Sequence, residues 1–132
     1  MQGQPVEPLV VLPEPIVIDH CRFANPQTVG IRTLNDAFRT RLTGGRVMVS
    51  RAVAALGSKA QREILKAVRR YDDFDADNDP YGEHDFGRIK VSGHEILFKI
   101  DYYDRDLVAH SPDASDPSVT LRVLTIMLAE DY

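Results

Sequence analysis

Asp79, Glu83, His84 and Asp85 crowd into one short stretch, and Lys99 and Asp101 follow on the next apolar segment. These residue types could carry chemistry. Glu83-His84-Asp85 sets a carboxylate on each side of an imidazole, which suits a general acid or base. The plainer reading makes His84 part of a turn or hydrogen-bond network at the start of a strand, and that reading is preferred. Lys99-Ile100-Asp101 reverses the acid-then-lysine order of metal-dependent nuclease strands, so a simple Lys–Asp pairing is the expected use. The alternative catalytic set is therefore His84, Asp85, Lys99 and Asp101.

The same stretch invites a metal. Asp75, Asp77 and Asp79 have the spacing of the first three ligands of a calcium loop. An EF-hand needs Gly at its sixth position and Glu at its twelfth. Here those positions hold Pro80 and Phe86, so the EF-hand fails. A looser Ca²⁺ or Mg²⁺ site from Asp75, Asp77, Asp79 and Glu83, or with Asp85, stays open as an alternative, and no cofactor is expected. A nucleophile elbow, P-loop, dinucleotide fingerprint and zinc pattern are all missing from the sequence.

Binding is the stronger expectation. Tyr102-Tyr103 ends an alternating segment among Asp101, Asp104 and Asp106. One tyrosine belongs to the core. The other is suited to an interface. Asp75, Asp77, Asp79, Tyr81, Glu83, His84, Tyr103 and Asp104 are the candidate binding residues. Aromatic residues among acids do not suit nucleic acid, which wants them among bases. A protein partner with a basic surface fits better, and so does the basic helix 58–71 of a second copy.

Charge supports that polarity. The net charge is −4, but residues 1–71 carry 11 Lys/Arg against 5 Asp/Glu, and residues 72–132 carry 5 against 15. Such asymmetry speaks to partners rather than to fold.

The elements that must position these residues follow from pattern. Asn25 is a good N-cap and Pro26 a good first helical residue. Ile31, Leu34, Phe38 and Leu42 then make a helical stripe that Gly44 and Gly45 end. Arg32, Arg39 and Arg41 lie off the stripe and read as a solvated face. Residues 46–50 form a short strand, and 51–56 a helical turn. Ser58 with Gln61 reads as a capping box opening a second helix, with Ile64, Leu65, Val68 and Tyr71 on one side. Lys59, Arg62, Lys66, Arg69 and Arg70 occupy its other side.

Residues 72–85 hold 7 carboxylates in 14 positions and must be a loop. Residues 86–91 and 95–103 read as a hairpin turning at Ser92-Gly93, with Ile96, Phe98, Ile100 and Tyr102 facing inward. Residues 104–119 are a second acidic loop. Residues 120–129 suit a buried strand or a buried helix, and strand is chosen for their Val, Thr and Ile.

The whole predicts an α+β domain over 28–132, with an antiparallel sheet of about three to five strands and two main helices on one face. Residues 1–27 read as an extended arm. Its prolines and lack of a basic opening argue against a signal peptide. No stretch approaches the roughly 20 apolar residues of a membrane span. The lone Cys21 excludes an internal disulfide framework and fits a reducing, cytoplasmic location.

Three runs carry a family resemblance: Asn78-Asp79-Pro80-Tyr81-Gly82-Glu83-His84-Asp85-Phe86-Gly87, Lys99-Ile100-Asp101-Tyr102-Tyr103-Asp104, and Arg122-Val123-Leu124-Thr125-Ile126-Met127-Leu128-Ala129 with Tyr132. With Asn35–Arg39 and Gly44–Val47, they resemble the bacterial domain of unknown function 3768. The likeness covers about residues 30–132. Phe98 departs from it, since the family often has Trp there. The resemblance brings no reaction. It implies an alphaproteobacterial context, often a plasmid or other mobile element, and an accessory protein that acts by binding, in one version antagonising a host defence system. A metal-dependent hydrolase or nuclease using 72–85 and 99–104 is the alternative.

Overall fold

The structure is a computed structural model, and residues 25–132 are described. The expectation for Cys21, and that for the N-terminal arm over residues 1–24, lie outside the described residues; Asn25, Pro26 and Gln27, also assigned to the arm, instead cap and begin the first helix.

Helix α1 (Pro26–Arg41) begins as its sequence demands, with the Asn25 side chain accepting from the Thr28 amide at 2.8 Å. It ends on Leu42, which takes a left-handed φ of 57°. Strand β1 (Gly45–Val49) and the short helix α2 (Arg51–Ala54) follow, the latter capped by Ser50. Helix α3 spans Ser58–Arg70. Its N-cap is Gly57 rather than Ser58, so the capping box does not form. Gln61 instead donates its side-chain amide to the Ala54 carbonyl at 3.1 Å, tying α3 to α2.

Strands β2 (Phe86–Val91) and β3 (His94–Tyr103) form the expected hairpin. Ser92 and Gly93 both have positive φ, 50° and 84°, the backbone twist that two-residue hairpin turns require. Residues 121–128 are strand β4, pairing antiparallel with β3, and a 3₁₀ turn at Ala129–Asp131 ends the chain. The sheet order is β1-β4-β3-β2. It is mostly antiparallel; β1 runs parallel to β4.

All three helices cover one sheet face. Phe38, Val53, Ile64 and Val68 pack there against Ile96, Phe98, Ile100, Leu124 and Ile126. Phe98 is the centre of this core. Its ring lies directly over Gly87, where any side chain would collide with it and with Tyr71. Tyr71 and Phe74 meet Phe98 edge-on at centroid distances of 5.3 Å and 6.5 Å. The α+β class with helices on one face is therefore present. On the other face, the C-terminal Tyr132 ring folds back to 5.9 Å from Phe86. No helix among the described residues is long and apolar enough to cross a membrane.

Candidate functional site

The loop between α3 and β2 begins where the apolar spacing of α3 stops, at Tyr71. Asp, Asn and Gly then favour turns over helix because their side chains bond nearby backbone. Asp75 does this directly: its Oδ1 accepts from the Asp77 and Asn78 amides, both at 2.9 Å. Asn78 returns the bond, accepting from the Asp75 amide and donating to the Asp73 carbonyl at 2.8 Å. The Tyr71 hydroxyl donates to that same carbonyl at 3.0 Å. The loop is thus knitted from its own side chains.

Its far end is clamped onto α1 through His84. The imidazole stacks flat on Phe74, with centroids 3.9 Å apart and planes 4° off parallel. Nδ1 lies 2.9 Å and 3.0 Å from the two Asp36 oxygens. Burial pushes the Asp36 carboxyl up, but His84 and Arg39 more than offset this and hold it below the ordinary value. Asp36 is therefore ionised near neutral pH, and Nδ1 must carry the proton of this bond. Nε2 faces Asp79 Oδ2 at 3.6 Å, and Asp79 is only 2 % exposed. Asp79 Oδ1 also accepts from the His84 amide at 3.2 Å. His84 reaches this pose with a left-handed φ of 57°, a backbone conformation uncommon outside glycine that the surrounding bonds must hold.

Beside this clamp lies a second network. The Tyr102 hydroxyl donates to Glu83 Oε1 at 2.7 Å and accepts from Asn35 Nδ2 at 2.8 Å. Asn35 also donates to the Glu83 carbonyl, and its Oδ1 accepts from Arg122 Nε at 2.7 Å. Arg122 stacks over the Tyr102 ring at 5.2 Å and donates to the Ala114 carbonyl. Burial, then the bond to Glu83, drives the Tyr102 hydroxyl pKa far upward, so it stays a neutral donor. Arg32 adds a bond to the Gly82 carbonyl at 3.2 Å.

Arg39 corrects the sequence reading. It was expected on a solvated face, yet it is 3 % exposed. Nε donates to the Val68 carbonyl at 3.1 Å and Nη2 to the Tyr71 carbonyl at 2.9 Å. Both carbonyls lie at the C-terminal end of α3, where helical donors run out; Val68 also accepts the Tyr71 amide at a long 3.4 Å. Nη1 pairs with Asp36 at 3.2 Å, and the guanidinium sits over the Phe74 ring at 5.1 Å. Sequence reasoning also missed Asn35, Asp36 and Arg122. The signal available was a polar residue inside an apolar pattern: Asn35 one turn from Ile31, and Arg122 in the apolar run of β4.

The candidate residues separate into three groups. Asp75, Asp77 and Tyr81 are exposed on the loop, Tyr81 at 80 %. Asp79, Glu83 and His84 turn inward and hold the loop. Tyr103 and Asp104 lie at the end of β3, where Asp104 Oδ1 accepts from the Val108 amide at 2.9 Å and shapes the next turn. The metal alternative of Asp75, Asp77, Asp79 and Glu83 is dispersed among these separate bonds. Among the described residues no three His, Cys, Asp or Glu side chains gather in a way that would hold a metal.

The catalytic alternative is likewise divided. Lys99 and Asp101 pair at 3.1 Å. By strand register both lie on the sheet face turned away from the helices, with Phe86, whereas His84 lies against α1. Each imidazole nitrogen already faces a carboxylate, so neither is aimed at an open cleft as a general base requires. Asp85 is the most perturbed acid of the group. Burial first, then the Glu83, Asp79 and Asp101 carboxylates, push it up to about 6.

No curated protein and no solved structure matches this chain. Residues 49–131 match the family model described as "Protein of unknown function (DUF3768)". The match spans the loop 72–85, the β2–β3 hairpin and β4; the α1 residues Asn35, Asp36 and Arg39 that grip the loop lie upstream of it. With well over half of its length matched, the chain belongs to the DUF3768 family.

Proposed function

We propose that this protein acts by binding, and that the loop 72–85 with the adjoining end of β3 is its contact surface for a partner with a basic surface. The observation that carries the reading is the contrast within the loop. Internal side-chain bonds and the His84 clamp hold its backbone, while Tyr81 projects at 80 % exposure among the exposed Asp72, Asp73, Asp75 and Asp77. An exposed aromatic on a loop whose backbone is already held, with exposed carboxylates on the same loop, binds with less ordering cost, which is how preorganisation gains affinity. Surface carboxylates in addition speed the encounter with a cationic partner.

The mobile-element role implied by the family resemblance, including antagonism of a host defence system, belongs to this reading, because such a protein can act by occupying its target rather than by chemistry. A second copy is one further source of a basic surface, through residues 58–71. Light scattering across a salt series tests that form, since such contacts weaken with screening.

The general test uses an immobilised arginine-rich peptide as the probe. Asp79 is unsuitable for charge reversal because it is buried against His84. The informative variant is Asp72→Lys with Asp73→Lys, Asp77→Lys and Tyr81→Ala, all at exposed positions. Salt-sensitive retention of the wild-type chain and its loss in the variant are expected. Equal retention of both chains, or no preference for the basic peptide over a neutral one, would sink the reading.

A further inference from the structure

Helix α3 carries a row of cations that no carboxylate of the fold neutralises among the described residues. Arg62, Lys66 and Arg70 repeat every four residues, and Arg69 stands beside them. Four-residue spacing puts them in one row about 6 Å apart along the helix. Like charges so spaced destabilise a helix. Among the described residues no ion pair neutralises any of the four. The helix holds a single carboxylate, Glu63, and it accepts a hydrogen bond from Ser92 at 2.8 Å. A row of cations kept against the preference of the helix points to an anion from outside.

These side chains also share a cleft. The four cations line a hollow of about 500 Å³ between α3 and the C-terminal end of α1, where Leu42 and Leu65 add apolar surface. That volume falls within the range of small-molecule sites, about 300–1,000 Å³. One of its guanidinium groups is already oriented. Arg69 Nε donates to the Thr40 carbonyl at 2.9 Å, in the last turn of α1, and its other N–H groups are not used in that bond. A fixed planar fork is the geometry that recognises phosphate oxygens in pairs.

We infer that this cleft is a binding site for a phosphate-bearing ligand. The phosphates meet Arg62, Lys66, Arg69 and Arg70, and the less polar body of the ligand rests on Leu42 and Leu65. The site is separate from the loop 72–85 but shares α3 with the basic face that a second copy's loop would meet, and polyglutamate stands in for that acidic loop in the test. The phosphate chemistry could belong to a free nucleotide-like molecule or to the backbone of a single-stranded nucleic acid, and the experiment distinguishes them.

Isothermal titration of the full chain would use pyrophosphate, ATP and a short oligothymidylate, all at matched ionic strength. Saturable binding of at least one probe is expected. Arg62→Gln with Lys66→Gln should weaken it about tenfold or more, with a melting temperature unchanged or raised as the charge repulsion is relieved. Arg69→Lys keeps the charge but loses the fork, and should weaken binding several-fold at unchanged fold. Lys59→Gln, on the same helix but outside the cleft, should change it less than about twofold. Tighter binding of the oligonucleotide with a steep salt dependence assigns the phosphate to nucleic acid. Equal or tighter binding of ATP or pyrophosphate assigns it to a small molecule. The inference is overturned if none of the three probes binds at millimolar concentration. It is equally overturned if Lys59→Gln weakens binding as much as the cleft variants do, or if polyglutamate binds more tightly than every phosphate probe.

Discussion

Replacing Asp85 by Asn should make the protein more stable at neutral pH and leave it nearly unchanged near pH 4. The Asp85 carboxyl is raised from an ordinary 3.8 to about 6, chiefly by burial and then by the Glu83, Asp79 and Asp101 carboxylates. A raised folded pKa means that the folded chain holds this proton more tightly than the unfolded chain. The resulting stability is fully present below about 3.8 and is lost as pH rises through about 6. At 1.36 kcal/mol per pH unit the full effect is on the order of 3 kcal/mol, and partial solvent access reduces it to about 1.5 kcal/mol. Asn keeps the shape and an acceptor oxygen but cannot ionise, so it removes this loss. The assay is urea denaturation of both chains between pH 4 and 8, reading the difference in unfolding free energy at each pH. The difference should open between about pH 4 and 6 and then level off. Asp36 does not confuse the result. Its lowered pKa contributes stability present above 3.8 and lost only as pH falls through its folded value. A difference that does not vary with pH, or an Asn variant less stable at pH 7.5, would refute the assignment of Asp85 as an uncompensated acid.

Other substitutions probe the clamp. Arg39→Met should destabilise by about 3 kcal/mol in urea denaturation, because it removes the side-chain donor to the Tyr71 carbonyl and one of the two donors each to the Val68 carbonyl and Asp36. Tyr102→Phe deletes only the hydroxyl between Asn35 and Glu83, and a loss of about 1–2 kcal/mol is expected in the same assay. Gly87→Ala should lower stability by about 2 kcal/mol or more, seen as a lower melting temperature, since its methyl meets the Phe98 and Tyr71 rings. His84→Ala removes the stack on Phe74, the bond to Asp36 and the approach of Nε2 to Asp79, while the amide bond to Asp79 stays. Amide hydrogen exchange in residues 75–85 should then accelerate, while β3 and β4 keep their protection.

Local pattern was enough for much of the frame. Asn25-Pro26 determined where the first helix starts, and Ser92-Gly93 determined where the hairpin turns. The alternation of Ile96, Phe98, Ile100 and Tyr102 determined which face of β3 meets the helices, although Leu97 on the opposite face is also buried. Each of these is a preference of neighbouring residues for one backbone geometry, so it can be read without knowing the rest of the chain. Residues 120–129 were ambiguous for a physical reason. A nearly all-apolar run buries equally well as strand or helix, and here pairing with both β3 and β1 makes it a strand.

The candidate site was only half legible. Sequence located the acidic loop, because Asp, Asn, Gly and Pro at that density exclude helix and central strand. It did not reveal which of those acids face solvent and which are consumed in holding the loop. That division depends on partners 48 or more positions away, such as Asp36 for His84 and Asn35 for Glu83. Arg39 shows the limit most clearly. On the helix alone it lies off the apolar stripe; only the packing of α3 brings the carbonyls of Val68 and Tyr71 within its reach. The sequence by itself therefore determined the elements, the buried face of the hairpin and the acidic character of the loop. Tertiary structure alone decided that His84 is a clamp between two carboxylates and that Tyr81 is left outside, because those outcomes rest on contacts between elements that local propensity does not encode.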